Sequence, residues 1–265
     1  MDSLLEKYKK LVEYIKNLES VAVAFSGGVD STLLIFAAKE ALKEEKICAY
    51  TVKSGFISEE ETNKAKQVAD LIGISHKVVE FDENKIEGLC DNPKNRCYLC
   101  KNEILKLLWA NAGKAGFKNL IEGSNLDDLS DYRPGMIAVK ENKVLSPLLE
   151  CGFSKNDIRE ILKLNNIPIW NKPAMPCLAS RIPYGEKITK EKIDMVNKGE
   201  RFLTAKGFEG VRVRHHGSIA RIELNLNDIL KVFEPKDREE IDDYFKKLGF
   251  KHVTVDLSGY NMGNA

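Results

Sequence analysis

The sequence predicts an α/β protein: a doubly wound parallel sheet of five strands followed by a smaller C-terminal α+β domain. Two observations carry that prediction. Residues 21–31 read VAVAFSGGVDS, five apolar residues that enter a glycine turn and leave it as a helix, and further strand patterns alternate with helices as far as residue 148. After Lys187 the pattern changes to helix, two short strands, helix and strand, so a boundary is expected near residue 180, dividing 1–180 from 181–265.

Each element has its own signal. Leu4, Leu5, Tyr8, Leu11, Val12, Ile15 and Leu18 recur at helical spacing, an amphipathic helix expected on the sheet edge. Val21 to Phe25 lacks polar alternation, as in a strand covered on both faces. Val29 to Glu44 has helical apolar spacing, and Ile47 to Val52 is a second strand. Ser58 caps the next helix, with Glu61 completing a capping box. Lys77 to Phe81, Asn119 to Glu122 and Val144 to Leu148 are the third, fourth and fifth strands. Beyond Lys187, Ile188 to Lys206 is a helix, Val211 to His216 and Ile219 to Leu224 an antiparallel pair, Pro235 to Leu248 a helix and His252 to Leu257 a last strand.

Composition bounds the function. A formal net charge of +1 over 265 residues argues against a broad nucleic-acid footprint. MDSLLEKYKK has mixed charge without a signal peptide's apolar core, and no run reaches the length of a membrane helix. A cytoplasmic protein with reduced, catalytic or metal-bound cysteines is expected.

The loop after the first strand is suited to phosphate. Gly27 and Gly28 let backbone N–H groups converge on an anion, and the following helix adds its partial positive charge. It is not a Walker A loop, since the Gly-Lys-Ser/Thr ending is absent. Ser26 and Ser31 are expected to donate hydrogen bonds to the phosphates, and Asp30 to coordinate magnesium or position pyrophosphate. In a doubly wound sheet ligands sit at the carboxyl ends of the strands. Ala24, then Lys53 and Ser54, then Gly123 with Asp128 beyond it, lie at such ends and are candidates for the nucleotide. Asp127, Asp128 and Asp131 could include a second magnesium ligand or cap and pair with Arg133.

Cys97 and Cys100 stand three apart at a helix start, between Arg96 and Lys101, surroundings in which cysteine sulfur binds metal or reacts. Cys177 follows in PAMPCLASRIPYG, an ordered non-helical loop. Three thiolates from two segments suit a 4Fe–4S cluster with one iron lacking a protein ligand; disulfide or persulfide chemistry and an incomplete zinc site are the alternatives. In the hairpin with Gly217-Ser218 as its turn, Arg214 faces Arg221 and Arg212 faces Glu223 on one side, with Val213, Ala220 and Ile222 packed inward on the other. Neighbouring arginines repel unless an anion separates them, which points to a substrate phosphate near Arg212 and Arg214.

The SGGVDS loop resembles that of the PP-loop ATP pyrophosphatases, with their adenine nucleotide alpha hydrolase-like fold. With RCYLCK, GSNLDDLSDYRPG, CLASRIPYG and VRVRHHGSIARIE added, nearly the whole chain resembles the LarE family. The family makes the nickel-pincer nucleotide. The resemblance implies ATP-dependent adenylation of a carboxylate of pyridinium-3,5-biscarboxylate mononucleotide, release of pyrophosphate and replacement of AMP by sulfur. It places Ser180, Arg181 and Glu200 near the substrate and implies a homo-oligomer; Lys101, directly after Cys100, is a candidate to neutralise charge on the adenylate. In one family type the cysteine at the position of Cys177 gives up its sulfur and is left as dehydroalanine. Relatives with the triad Cys97, Cys100 and Cys177 are implied to bind a 4Fe–4S cluster that carries sulfide from an external donor. A PP-loop tRNA thiolase shares these motifs and is the nearest rival.

Overall fold

The computed structural model describes residues 2–130, 134–173 and 175–260. It divides into two compact units, Met1–Ile86 with Asn95–Met175, and Glu87–Lys94 with Pro176–Ala265. Among the described residues no helix is long and apolar enough to cross a membrane.

The first unit runs α1 (Asp2–Lys16), β1 (Val21–Ala24), α2 (Val29–Ala41), β2 (Ile47–Lys53), α3 (Glu59–Ile72), β3 (His76–Glu80), α4 (Arg96–Lys114), β4 (Leu120–Ile121), α5 (Pro134–Glu141), α6 (Pro147–Glu150) and α7 (Lys155–Leu164). Its four strands are parallel in the order β3-β2-β1-β4. Both faces of the sheet are covered. Val21, Val23, Ile47 and Ala49 join Leu33, Leu34 and Ile35 of α2 and Ile158, Ile161 and Leu162 of α7 in one core. Ala22, Cys48 and Tyr50, which alternate with them along the strands, are also buried. Strand order reverses between β1 and β4, so the crevice at a doubly wound sheet's switch point opens beside residues 25–31.

Three expectations are corrected. The fifth strand is a single parallel bridge, Ile121 to Leu145, with Leu145 N–H on Leu120 O at 3.0 Å and Glu122 N–H on Leu145 O at 2.9 Å. Pro147 ends it, because proline lacks an N–H for a ladder and its fixed φ suits the first turn of α6. Helix α1 packs mainly against α2, with Tyr8 stacked on Phe36 at 6.2 Å, because α2 is apolar on the side that faces it. Ser58 caps α3 by accepting Glu61 N–H, but Glu61 does not close the box: its carboxylate turns to Lys172 at 2.7 Å and Lys64 at 3.3 Å. A charge partner outcompetes a neutral N–H.

The second unit holds α8 (Lys190–Ala205), β5 (Arg212–His216), β6 (Ile219–Glu223), α9 (Pro235–Leu248) and β7 (His252–Val255). β5 and β6 are antiparallel with Arg212 opposite Glu223 and Arg214 opposite Arg221, and β7 adds to β6 in parallel. Gly217 takes φ +59° in the two-residue turn, which explains a glycine there. Asn92, fully buried, donates its carboxamide to Ile182 O at 3.1 Å and Pro183 O at 2.7 Å, and its carbonyl accepts Gly185 N–H at 2.9 Å. Those bonds bring residues 87–94 into this unit.

Helices α8 and α9 meet at Gly199. A Cβ there would lie 2.9 Å from two ring carbons of Phe245, itself fully buried. Gly199→Ala is expected to lower stability by about 1–3 kcal/mol by overpacking, read from the thermal or urea midpoint.

Candidate functional site

The phosphate loop is built by a glycine that nothing else can replace. Gly27 takes φ +68°, and a Cβ on it would sit 2.7 Å from Ala65 Cα and 2.9 Å from Ala65 Cβ, so α3 presses directly on the turn. Gly28 is the N-cap of α2 in extended conformation, without a side chain over the helix end. Ser26 and Ser31 knit the turn: their hydroxyls lie 3.2 Å apart, Ser26 N–H reaches Ser31 Oγ at 3.3 Å, Gly28 N–H reaches Ser26 Oγ at 3.3 Å, and Ser31 Oγ donates to Gly28 O at 3.2 Å. A glycine turn at a helix N-terminus is a geometry suited to an anion.

Two charged groups that local sequence does not reveal lie beside it. Lys155, the first residue of α7, places Nζ 2.5 Å from Asp30 Oδ2. Lys172 donates to Gly27 O at 3.2 Å and to Glu61 Oε2 at 2.7 Å. Burial raises the Asp30 carboxyl above the ordinary value against the pull of Lys155, and the charge of Asp128 adds to the rise. Glu61 moves the other way, since Lys172 and Lys64 outweigh its burial. The second carboxylate oxygen of Asp30 is buried with no hydrogen-bond partner among the described residues. A hard oxygen beside a turn suited to an anion fits a magnesium ligand.

The strand ends differ in character. Ala24 closes β1, and Gly123 packs against the loop so closely that a Cβ would meet Asp30 Cβ at 3.0 Å and Ser31 N at 3.2 Å. Asp128 Oδ2 accepts Asn125 N–H at 3.0 Å, which shapes the turn, while Asp127 Oδ2 accepts the Lys155 N–H at 2.7 Å. Lys53 pairs with Glu80 at 3.3 Å and Ser54 Oγ accepts Phe56 N–H at 3.1 Å. Asp131 and Arg133 lie outside the described residues. Lys101 ion-pairs with buried Glu122 at 2.9 Å. Burial pushes Glu122 up, but Lys101 and the donors Ser124 N–H and Ser146 Oγ hold it below the usual carboxylate value.

Cys97 and Cys100 lie a turn apart at the start of α4, one exposed and one half-buried. In the second unit exposed Cys177 is the N-cap of a helical turn, Leu178–Arg181. Among the described residues no three His, Cys, Asp or Glu side chains are gathered as a metal centre.

Arg181, 1% exposed, fixes the backbone at Cys177. Its Nη1 donates to Pro176 O at 3.0 Å, Cys177 O at 3.3 Å and Ser180 Oγ at 2.9 Å, while Nε and Nη2 fork onto Glu200 at 2.8 and 3.0 Å. Ser180 Oγ also donates to Cys177 O at 2.8 Å. Glu200 Oε1 accepts Val213 N–H at 3.0 Å, tying the group to β5.

The anion expected between Arg214 and Arg221 is supplied by the protein. Fully buried Glu223 accepts a fork from Arg214 at 3.1 and 3.0 Å and a bond from Arg221 at 3.0 Å, and Arg214 Nη1 holds Ser180 O at 2.8 Å. Arg212 is 3% exposed, donates to Val211 O at 2.8 Å and lies 5.0 Å from the Tyr260 ring centre. Burial, then the charge of Arg181, lowers its proton affinity, a field that an anion relieves.

Residues 15–93 match the asparagine synthase family. The chain is 41% identical to an uncharacterised protein of Synechocystis sp., covering 98% of this chain and 97% of that one. It is 34% identical to pyridinium-3,5-bisthiocarboxylic acid mononucleotide synthase of Lactiplantibacillus plantarum, over 99% of this chain and 95% of that protein. It is 33% identical to an uncharacterised protein of Methanocaldococcus jannaschii, over 98% of both chains.

Glu200→Ala leaves Arg181 buried without its counter-ion and is expected to cost about 3–5 kcal/mol, measured by urea unfolding. Because Glu122 titrates below its unfolded-state value, its stabilisation is full above the ordinary carboxylate range and fades as pH falls through it toward the folded-state value. Glu122→Gln should therefore flatten the loss of melting temperature as pH falls below roughly pH 5.

Proposed function

The chain belongs to the LarE family of ATP-dependent sulfur transferases, and on that footing we propose that it converts a carboxylate of pyridinium-3,5-biscarboxylate mononucleotide into a thiocarboxylate. The loop at residues 26–31 carries this reading: a cradle of N–H groups and hydroxyls at the start of α2, walled by Ala65 so that only glycine fits at position 27. A substrate carboxylate oxygen attacks the α-phosphorus of ATP, the bond to the bridging β-phosphate oxygen breaks and pyrophosphate leaves. Sulfur then attacks the acyl carbon and AMP departs.

Ser26, Gly27, Gly28 and Ser31 hold the pyrophosphate portion, and Ala24, Lys53, Ser54, Gly123 and Asp128 line the rest of the nucleotide. Asp30, whose second buried oxygen has no hydrogen-bond partner among the described residues, would hold magnesium, which supplies charge neutralisation on the phosphates. Lys101, half-exposed on Glu122, is the cation for the adenylate. In the second unit the Arg181–Glu200 fork and Ser180 orient Cys177, and Arg212, with Arg214 held rigid on Glu223, binds the substrate phosphate. The first unit then serves as the PP-loop domain and the second, which begins at Pro176 rather than the expected 181 and takes in Glu87–Lys94, as the substrate-binding and oligomerising domain, in a cytoplasmic protein that does not require nucleic acid. Exposed Leu226, Leu230, Phe233 and Leu257 in the second unit support a homo-oligomer.

Cys97, Cys100 and Cys177 would hold a 4Fe–4S cluster. Accessible thiols at a helix start and at a backbone-pinned turn are suitable donors. When bound, the cluster supplies an iron site for sulfide from an external donor, and the three cysteines survive turnover.

ATP mixed with the pyridinium mononucleotide should yield pyrophosphate, AMP and thiocarboxylate, and Gly27→Ala should abolish the pyrophosphate. Pyrophosphate release that ignores the mononucleotide, in anaerobically prepared, iron-loaded protein, removes the proposed substrate. Intact mass after turnover separates the sulfur routes, since loss of one hydrogen sulfide at Cys177 returns the protein to the sacrificial type.

A further inference from the structure

We propose that Lys155 and Lys172 are the residues that bind the β- and γ-phosphates of ATP and neutralise the departing pyrophosphate, an assignment that rests on the ATP site proposed above. Two separate segments, the start of α7 and the stretch beyond its end, deliver an ammonium group each to the same turn. Lys155 reaches Asp30 at 2.5 Å and Lys172 reaches the carbonyl of Gly27 at 3.2 Å. Neither is a surface lysine in a solvated pair. Their side chains keep 33% and 16% of their exposure, enough to be met by a ligand in the cradle yet shielded enough for charge to count.

Charge decides what they do there. Within the protein alone each lysine is balanced, Lys155 by Asp30 and Lys172 by Glu61. A triphosphate brings several negative charges to a cradle of neutral N–H and O–H donors, which needs cations beyond the partial charge of one helix end. A lysine ammonium carries three donors on a flexible stem, so each can keep one bond to its carboxylate and turn another to a phosphate oxygen. When the α-phosphorus is attacked, the bond to the bridging oxygen breaks and the electron pair leaves with pyrophosphate. Two ammonium groups at that end of the nucleotide stabilise the leaving charge without any proton transfer.

The competing account makes the lysines braces, Lys172 tying α3 to the loop and Lys155 tying α7 to α2. The two accounts differ in which ligand they affect. Pyrophosphate and AMP are titrated separately, with magnesium, into the full-length protein and its Lys155→Met and Lys172→Met variants by calorimetry. Loss of a charge-assisted phosphate contact predicts pyrophosphate binding weaker by roughly tenfold to a hundredfold in each variant with AMP binding unchanged. Lys163→Met on the same α7, whose ammonium sits over Trp170 at 4.9 Å, should match wild type. Should Lys172→Met fail to fold, Lys172→Gln keeps a donor for Gly27 O and removes the charge, and the same loss is expected. Unchanged pyrophosphate affinity in folded variants, or an equal loss for AMP, overturns the assignment and leaves the lysines as braces. Wild-type protein that binds neither pyrophosphate nor ATP overturns the ATP reading together with it.

Discussion

The contact between Gly27 and Ala65 is the constraint on which the first unit turns. A parallel strand entering a helix must reverse within a few residues, and here the turn is also pressed against α3 at a distance no side chain tolerates. The left-handed glycine, the bare N-cap and the two serine hydroxyls that lock the loop follow from that close packing. Gly123 closes the opposite wall in the same way, its Cα hydrogens facing Asp30 and Ser31. Small residues on both sides let the backbone approach closely, with the two serine hydroxyls knitting the turn between them.

What the sequence made legible was whatever is encoded locally. Apolar runs marked β1 and β2, helical apolar spacing marked α2, and glycine and serine spacing marked the phosphate loop, because each depends on neighbours within a few residues. The register of the β5–β6 hairpin could be counted outward from Gly217 and Ser218 for the same reason. The fifth strand failed because its run of apolar residues is cut by Pro147, whose effect on a ladder outweighs the pattern before it. The capping box at Ser58 was half realised because Glu61 has a partner 111 residues away. Lys155 and Lys172 carried no signal at all, since a lysine near a helix start or in a proline-containing loop is ordinary until folding sets it against Asp30 or Gly27.

The second unit shows a different use of charge. Its hairpin has two inward faces, one apolar and one built of Arg181, Glu200, Arg212, Arg214 and Glu223, all at or below 8% exposure. Paired forks of this kind compensate desolvation only when geometry is tight, so they are poor devices for raw stability and good ones for fixing position. Each fork ends on backbone near Cys177: Arg181 on the carbonyls of residues 176 and 177, Arg214 on that of Ser180. An exposed thiol is thereby attached to a backbone held by several side-chain hydrogen bonds.

The chain enters the second unit twice, first for residues 87–94 and again from residue 176. Neither unit is therefore one uninterrupted stretch of gene. A crossover that exchanged only the C-terminal third between distant relatives would separate the carboxamide of Asn92 from the carbonyls of Ile182 and Pro183, leaving two interior acceptors without donors. An exchange of the C-terminal third is therefore expected to keep its stability only when residues 87–94 travel with it.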